Sequence, residues 1–152
     1  MVDNSNRKVL IAMDGSEYSE EALKWFASKV YKNEDDVIVL HVTDHKESLS
    51  YSSPWLPMDP MIFQMKVKEE EDKAKETIKK VDALIKDVGI KAHVIRAHGN
   101  PGEQITKKAE ELGVSMVIIG SRGLGTIRRT IMGSVSDFVL HHSHIPVVIF
   151  RH

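Results

Sequence analysis

Residues 114–136 read VSMVIIGSRGLGTIRRTIMGSVS, and three kinds of sequence succeed one another within them. Val114 to Ile119 is a short apolar run, with Val117, Ile118 and Ile119 consecutive, as in a strand buried on both faces. Gly120 to Ser134 holds four of the chain's nine glycines, and residues 121–132 contain no acid. A short helix is expected from about 134 to 142. A buried strand passing through a glycine-rich connection into a helix is the repeating element of an α/β fold, so the rest of the chain should show the same alternation.

It does. Val9 to Met13 is a short apolar run followed by Asp14, Gly15, Ser16 and Glu17, a strand leading into a helix start. Ala22, Leu23, Phe26, Ala27 and Val30 then form an apolar stripe at helical spacing. Val37 to Val42 is a second strand. Residues 43–60 lose periodicity and hold three of the five prolines (Pro54, Pro57, Pro60), a long surface loop of the kind that carries function. Asp59-Pro60 is an N-cap with proline at the first helical position. The helix it opens runs to about 87, with Ala74, Ile78, Val81 and Ile85 on one side and a solvated face of mixed charge from Lys66 to Glu76. Gly89 ends it. Ala92 to Ala97 is a third strand, Asn100-Pro101-Gly102-Glu103 caps a helix that ends at Leu112-Gly113, and Ile145 to Phe150 is the last strand, with Pro146 suiting a sheet edge. Right-handed crossovers then give an α/β fold, an open parallel sheet with helices on both faces. One domain is expected over 1–152, with its core at about 7–151.

Composition narrows the function. The chain has 152 residues, 21 basic against 22 acidic side chains, and no cysteine. This length suits one domain and needs no disulfide or metal staple. The missing thiols exclude disulfides, thiolate zinc sites and a cysteine nucleophile. A net charge of −1 argues against a nucleic-acid or polybasic membrane partner. No apolar run approaches the ~20 residues of a membrane helix. Met1 to Ser5 carries no signal-peptide core, and Val2 stands where myristoylation demands glycine. The expectation is a cytoplasmic protein.

The glycine-rich segment is the place for chemistry. Glycines let backbone amides approach a ligand, and the helix near Ser134 offers free N–H groups with partial positive charge. Arg122, Arg128 and Arg129 add to it, making an anion site of the phosphate-binding kind. Without a Gly-Lys-Ser/Thr sequence it is not a P-loop, and with a single glycine in residues 14–19 the first turn is not a Rossmann fingerprint.

The spacing of Gly120, Gly123, Gly133 and Ser134, Gly-x2-Gly-x9-Gly-Ser, resembles the ATP-binding signature of the universal stress protein family. The resemblance extends to Ala12 through Ser16, to His41-Val42, to Gly99-x-Pro101, and to Gly133-Ser134-Val135-Ser136 leading into Pro146-Val147-Val148. It implies a five-stranded sheet of order 3-2-1-4-5, in which the reversal of order brings Asp14 and the 120–134 loop to one crevice. It also implies that Ala12, Met13 and Val42 line an adenine pocket and that Asp14 contacts ribose or a phosphate-bridged magnesium. Gly120 and Gly123 would admit ribose and phosphates, while Gly133, Ser134, Val135 and Ser136 would hold the phosphates of ATP, ADP or AMP. A homodimer through residues 145–150 follows from the resemblance and from the apolar edge strand.

Other readings stand beside these. Asp14 serves equally as an N-cap with Glu17 completing a capping box, and Ser134 as a cap for the last helix. His141, His142 and His144 look like a metal cluster but sit at a helix end, where adjacent histidines point apart. Met58, Met61 and Met65, with Trp55 and Phe63, read as an apolar lid or packing surface. No catalytic triad is readable, and Asp14 is the only evident acid at the site. The expectation is therefore a nucleotide-dependent regulatory module and not an enzyme, with a slow ATPase or a structural dimer that has lost its nucleotide as the alternatives.

Overall fold

The computed structural model describes residues 6–45, 55, 58–122 and 132–151. Strands and helices alternate as β1 (Lys8–Ala12), α1 (Glu17–Lys29), β2 (Asp36–Thr43), α2 (Pro60–Val88), β3 (Ala92–His98), α3 (Pro101–Leu112), β4 (Met116–Gly120), α4 (Ser134–His142) and β5 (Val147–Phe150). The five strands form one parallel sheet in the order β3-β2-β1-β4-β5. This is the order implied by the family resemblance; the apolar pattern alone gave only the alternation.

Alternate strand residues point to opposite faces, and two cores result. Val9, Ile11, Met13, Val37, Val39 and Ile118 pack under α1 and α2, against Leu23, Phe26, Val81 and Ile85. Leu10, Ala12, Ile38, Leu40, Val117 and Ile119 pack under α3 and α4, against Ile105, Ala109 and Val139. Central strands buried on both sides must be apolar throughout, which is why these runs read as continuous rather than alternating.

Local chemistry sets the boundaries. The Asp59 side chain accepts from the Met61 amide, and the Asn100 side chain from the Glu103 amide, each just ahead of a proline. Gly89 and Gly113 end α2 and α3 in the left-handed conformation. After α3, the Val114 amide turns back to the Ala109 carbonyl and the Gly113 amide to that of Glu110. This Schellman arrangement occupies Val114, so β4 begins at Met116 and not at the expected Val114. The last strand is likewise shorter than expected. The Ile145 amide and carbonyl both bond the Ser143 hydroxyl, which delays pairing until Val147. β5 is an edge strand, as Pro146 suggests.

Most of the expected 43–60 loop lies outside the described residues, as do Gly123, Arg128 and Arg129. α2, about 43 Å long at 1.5 Å per residue, buries Ala74, Val81 and Ile85 but leaves Met61, Ile62, Phe63 and Met65 exposed on its first turns. No helix among the described residues is long and apolar enough to cross a membrane.

Candidate functional site

At the carboxyl end of the sheet, where strand order reverses between β1 and β4, a cavity of about 350 Å3 opens on the α3/α4 face. Every expected site residue within the described chain lines it: Ala12, Met13, Asp14, Val42, Gly120, Arg122, Gly133, Ser134, Val135 and Ser136. Gly123 lies outside the described residues. Sequence reasoning missed Ser19, Leu40, Asp44, Pro101, Ile105 and Ile119 on the same wall. Leu40, Ile105 and Ile119 read as core, which they also are, because the cavity is where that core opens to solvent. Asp44 corrects the expectation that Asp14 is the only acid here. Its position one residue beyond β2 was the available signal, since strand exits at this edge face the crevice.

The β1 exit is tightly held. The Met13 amide donates to the Leu40 carbonyl at 2.9 Å, and the His41 Nδ1 lies 2.9 Å from the Met13 carbonyl. The Met13 side chain, 2% exposed, belongs to the core under α1 and α2. Asp14 Oδ1 accepts from the Ser16 amide at 2.9 Å, and Gly15 turns with φ 83°. Ser16, not Asp14, is the N-cap of α1, its hydroxyl accepting from the Ser19 amide at 3.3 Å. The Asp14–Glu17 capping box is thereby replaced: an Asx turn at Asp14 moves the cap two residues on.

The β4 exit supplies the charge. A Cβ on Gly120 would stand 3.0 Å from the Tyr18 backbone, so glycine lets the strand end press against α1. Arg122 is only 9% exposed, and its guanidinium carbon lies 5.9 Å from the Tyr18 ring centroid. Among the described residues no carboxylate pairs with it. The Gly133 amide donates to the Ser121 carbonyl at 2.6 Å, and the Ser136 hydroxyl donates to the carbonyls of Ser121 (3.0 Å) and Gly133 (2.9 Å). These bonds tie the loop's two ends together. They make Ser136, 2% exposed, a buried strut of the loop. Gly133 occupies the N-cap position of α4, and no side chain caps that helix. The expected Ser134 cap is therefore not formed. Ser134 is the first helical residue and is exposed at the cavity instead.

The arrangement combines an apolar slot (Ala12, Leu40, Val42, Ile105, Ile119) with an uncapped helix N-terminus and a nearly buried guanidinium. Such a cleft suits a ligand with a flat apolar part and an anionic tail. The histidines at the other end of α4 do not converge on it. His141 and His142 bond the Asp137 and Phe138 carbonyls of their own helix, at 2.8 Å each.

An open parallel sheet with its cleft at the reversal of strand order defines the class, a doubly wound α/β domain. Within that class the chain belongs to the universal stress protein family, whose model matches residues 5–151. It is 31% identical over 153 residues to universal stress protein MJ0577 of Methanocaldococcus jannaschii, covering 95% of this chain and 94% of that one. The solved structure of MJ0577 superposes with a TM-score of 0.77 over 97% of each chain. Universal stress protein YxiE of Bacillus subtilis is 32% identical over 148 residues, covering 95% of this chain and 98% of that one. Universal stress protein PHOS32 of Arabidopsis thaliana is 32% identical over 162 residues; 97% of this chain is covered, but the chain spans 66% of that longer protein.

Proposed function

We propose that this chain is an ATP-binding regulatory module whose occupied and empty states differ in what they recruit. The observation that carries the reading is Arg122, held nearly buried at the cavity without a carboxylate partner among the described residues, beside the uncapped N-terminus of α4. A guanidinium kept from water and from acids is expensive unless an anion completes it. In this reading the adenine enters between Ala12, Val42 and Ile105, and the phosphates meet Arg122 and the amides of Ser134, Val135 and Ser136. Structures of the same fold include a universal stress protein in complex with cAMP and a family member from Arabidopsis thaliana with AMP bound, each 19% identical to this chain. They support an adenine nucleotide in the cleft.

The described residues hold no group of three or more histidines and acids fit for a metal. Magnesium therefore arrives on the phosphates, with Asp14 as the acid that meets it directly or through water. Binding, not turnover, is the proposed role: the carboxylate of Asp14 is engaged with the Ser16 amide and shapes a turn. The half-buried edge strand β5 is the proposed homodimer contact and the cytoplasm the proposed location.

Calorimetric titration of ATP, with and without magnesium, into nucleotide-free protein tests this. Saturable binding is expected, weakened about tenfold or more in Arg122→Gln. Absence of binding, or equal binding by Arg122→Gln, would defeat it. Phosphate release above that of the Asp14→Ala variant would replace the regulatory reading with a slow ATPase. A monomer mass in light scattering at micromolar concentration would remove the dimer.

A further inference from the structure

The first turn of α1 turns two neighbouring side chains to different tasks. Ser19 is buried and lines the cavity, and its hydroxyl donates to the Ser16 carbonyl at 2.8 Å. Tyr18 is half-buried and is not among the residues that line the cavity. Its ring instead lies beneath the guanidinium of Arg122, which does line it, with 5.9 Å from Cζ to the ring centroid. A residue outside the cavity wall thus holds a cation within it.

The ring is placed by close packing. A Cβ on Gly120 would stand 3.0 Å from the Tyr18 carbonyl carbon and 3.1 Å from its Cβ, so the end of β4 meets the first turn of α1 at Tyr18 itself. Two residues further along, Arg122 leaves β4 on a fixed backbone. The Ser121 amide donates to the Phe150 carbonyl at 2.8 Å, and the Ser121 carbonyl accepts from the Gly133 amide. On the other side, the Ser16 hydroxyl caps the turn that carries the ring.

The kind of contact matters as much as its place. An arginine that meets a phosphate loses side-chain freedom, so holding it beforehand favours binding. A carboxylate could hold it, but would neutralise the charge and occupy the in-plane N–H donors. An aromatic face attracts the cation through the ring quadrupole and leaves the charge in place. Among the described residues no carboxylate pairs with Arg122, and the ring is its partner.

We propose that Tyr18 is a positioning residue for anion binding: its ring holds the Arg122 guanidinium at the cavity in the pose that receives a phosphate. The ligand in this inference rests on the ATP reading, while the preset arginine does not.

The test titrates ATP with magnesium into wild type, Tyr18→Leu, Tyr18→Phe, Arg122→Gln and the double variant Tyr18→Leu, Arg122→Gln. Leucine fills space without a ring face, whereas phenylalanine keeps the face and drops the hydroxyl. Tyr18→Leu is expected to bind ATP about fivefold more weakly than wild type, and Tyr18→Phe to stay within about twofold of it. The double variant should bind as Arg122→Gln does, because the ring acts through the arginine. Wild-type affinity in Tyr18→Leu would overturn the proposal, as would equal losses in Tyr18→Leu and Tyr18→Phe. So would a further loss of about fivefold in the double variant, which would make the two effects additive.

A second readout needs no ligand. A proton over a ring face resonates upfield, so the Arg122 side-chain signals, identified by their disappearance in Arg122→Gln, should lie upfield in wild type and Tyr18→Phe relative to Tyr18→Leu. If wild type binds no ATP, the nucleotide reading fails and this shift alone decides the preset arginine. Identical Arg122 signals in all three proteins overturn it.

Discussion

The two faces of the sheet reach the same carboxyl edge and end differently. Under α3 and α4, small and apolar residues (Ala12, Val42, Gly120, Gly133) leave a cavity. Under α1 and α2, larger groups (Met13, His41, Arg96) and the acids of α2 fill the equivalent space. Ala12 and Met13 are neighbours in sequence, and strand alternation sends them to opposite faces. A crevice open on one side only requires this inequality: one face stays hollow because the other is packed and pinned. The packed face carries the stability and the hollow face the proposed nucleotide.

The strongest way to break this division is to hollow the packed side. Phe26, on the inward face of α1, is fully buried, and Phe26→Ala should cost about 3–5 kcal/mol in urea unfolding. The protein that remains folded should still bind ATP, because Phe26 does not line the cavity; loss of both together would mean the faces are not separable. Next comes filling the hollow side from behind. A Cβ on Gly102 would stand 2.5 Å from Phe138 Cδ1, where α3 crosses α4. Gly102→Ala should cost about 1–3 kcal/mol. It should also weaken ATP binding, by moving Pro101 and Ile105 relative to Ser134 and Val135.

A smaller effect separates the faces by pH. Glu71 titrates at about 2 in the folded protein, chiefly through its hydrogen bonds from Arg96, against an ordinary value of 4.5. A depressed carboxylate contributes stability above its unfolded value and loses it as pH falls toward the folded one. The stability gap between wild type and Glu71→Gln should therefore be full above about pH 5 and shrink toward about pH 2. A gap that widens in acid would reverse the sign and the assignment. The smallest effect belongs to neither face. Met61 is 69% exposed, and Met61→Ser should change unfolding free energy by less than about 0.5 kcal/mol.

Much of this was legible in the chain, and the failures are instructive. The caps at Asp59 and Asn100 and the glycine ends at Gly89 and Gly113 formed where composition placed them. Each depends on groups within a few residues. At Asp14 and Ser134 the residue types were right and the roles shifted. Two capping residues stood close together at the start of α1, and only the turn at Gly15 selects Ser16. At α4, Gly133 takes the cap position because its amide is drawn to the Ser121 carbonyl across the loop.

By itself the sequence determined the alternation of strands and helices, the glycine-rich segment after the fourth strand, and, through its family signature, the described residues that line the cleft. Periodicity, capping and turn chemistry act over three or four residues, so they are written in the order of the chain. Only the tertiary structure decided that Asp44 joins the wall, that Arg122 lies against Tyr18, and that His45, His98 and Glu70 meet. These contacts join the exits of different strands to helices far along the chain. Their distances follow from sheet order and from which face each strand residue takes, and neither quantity has a local trace.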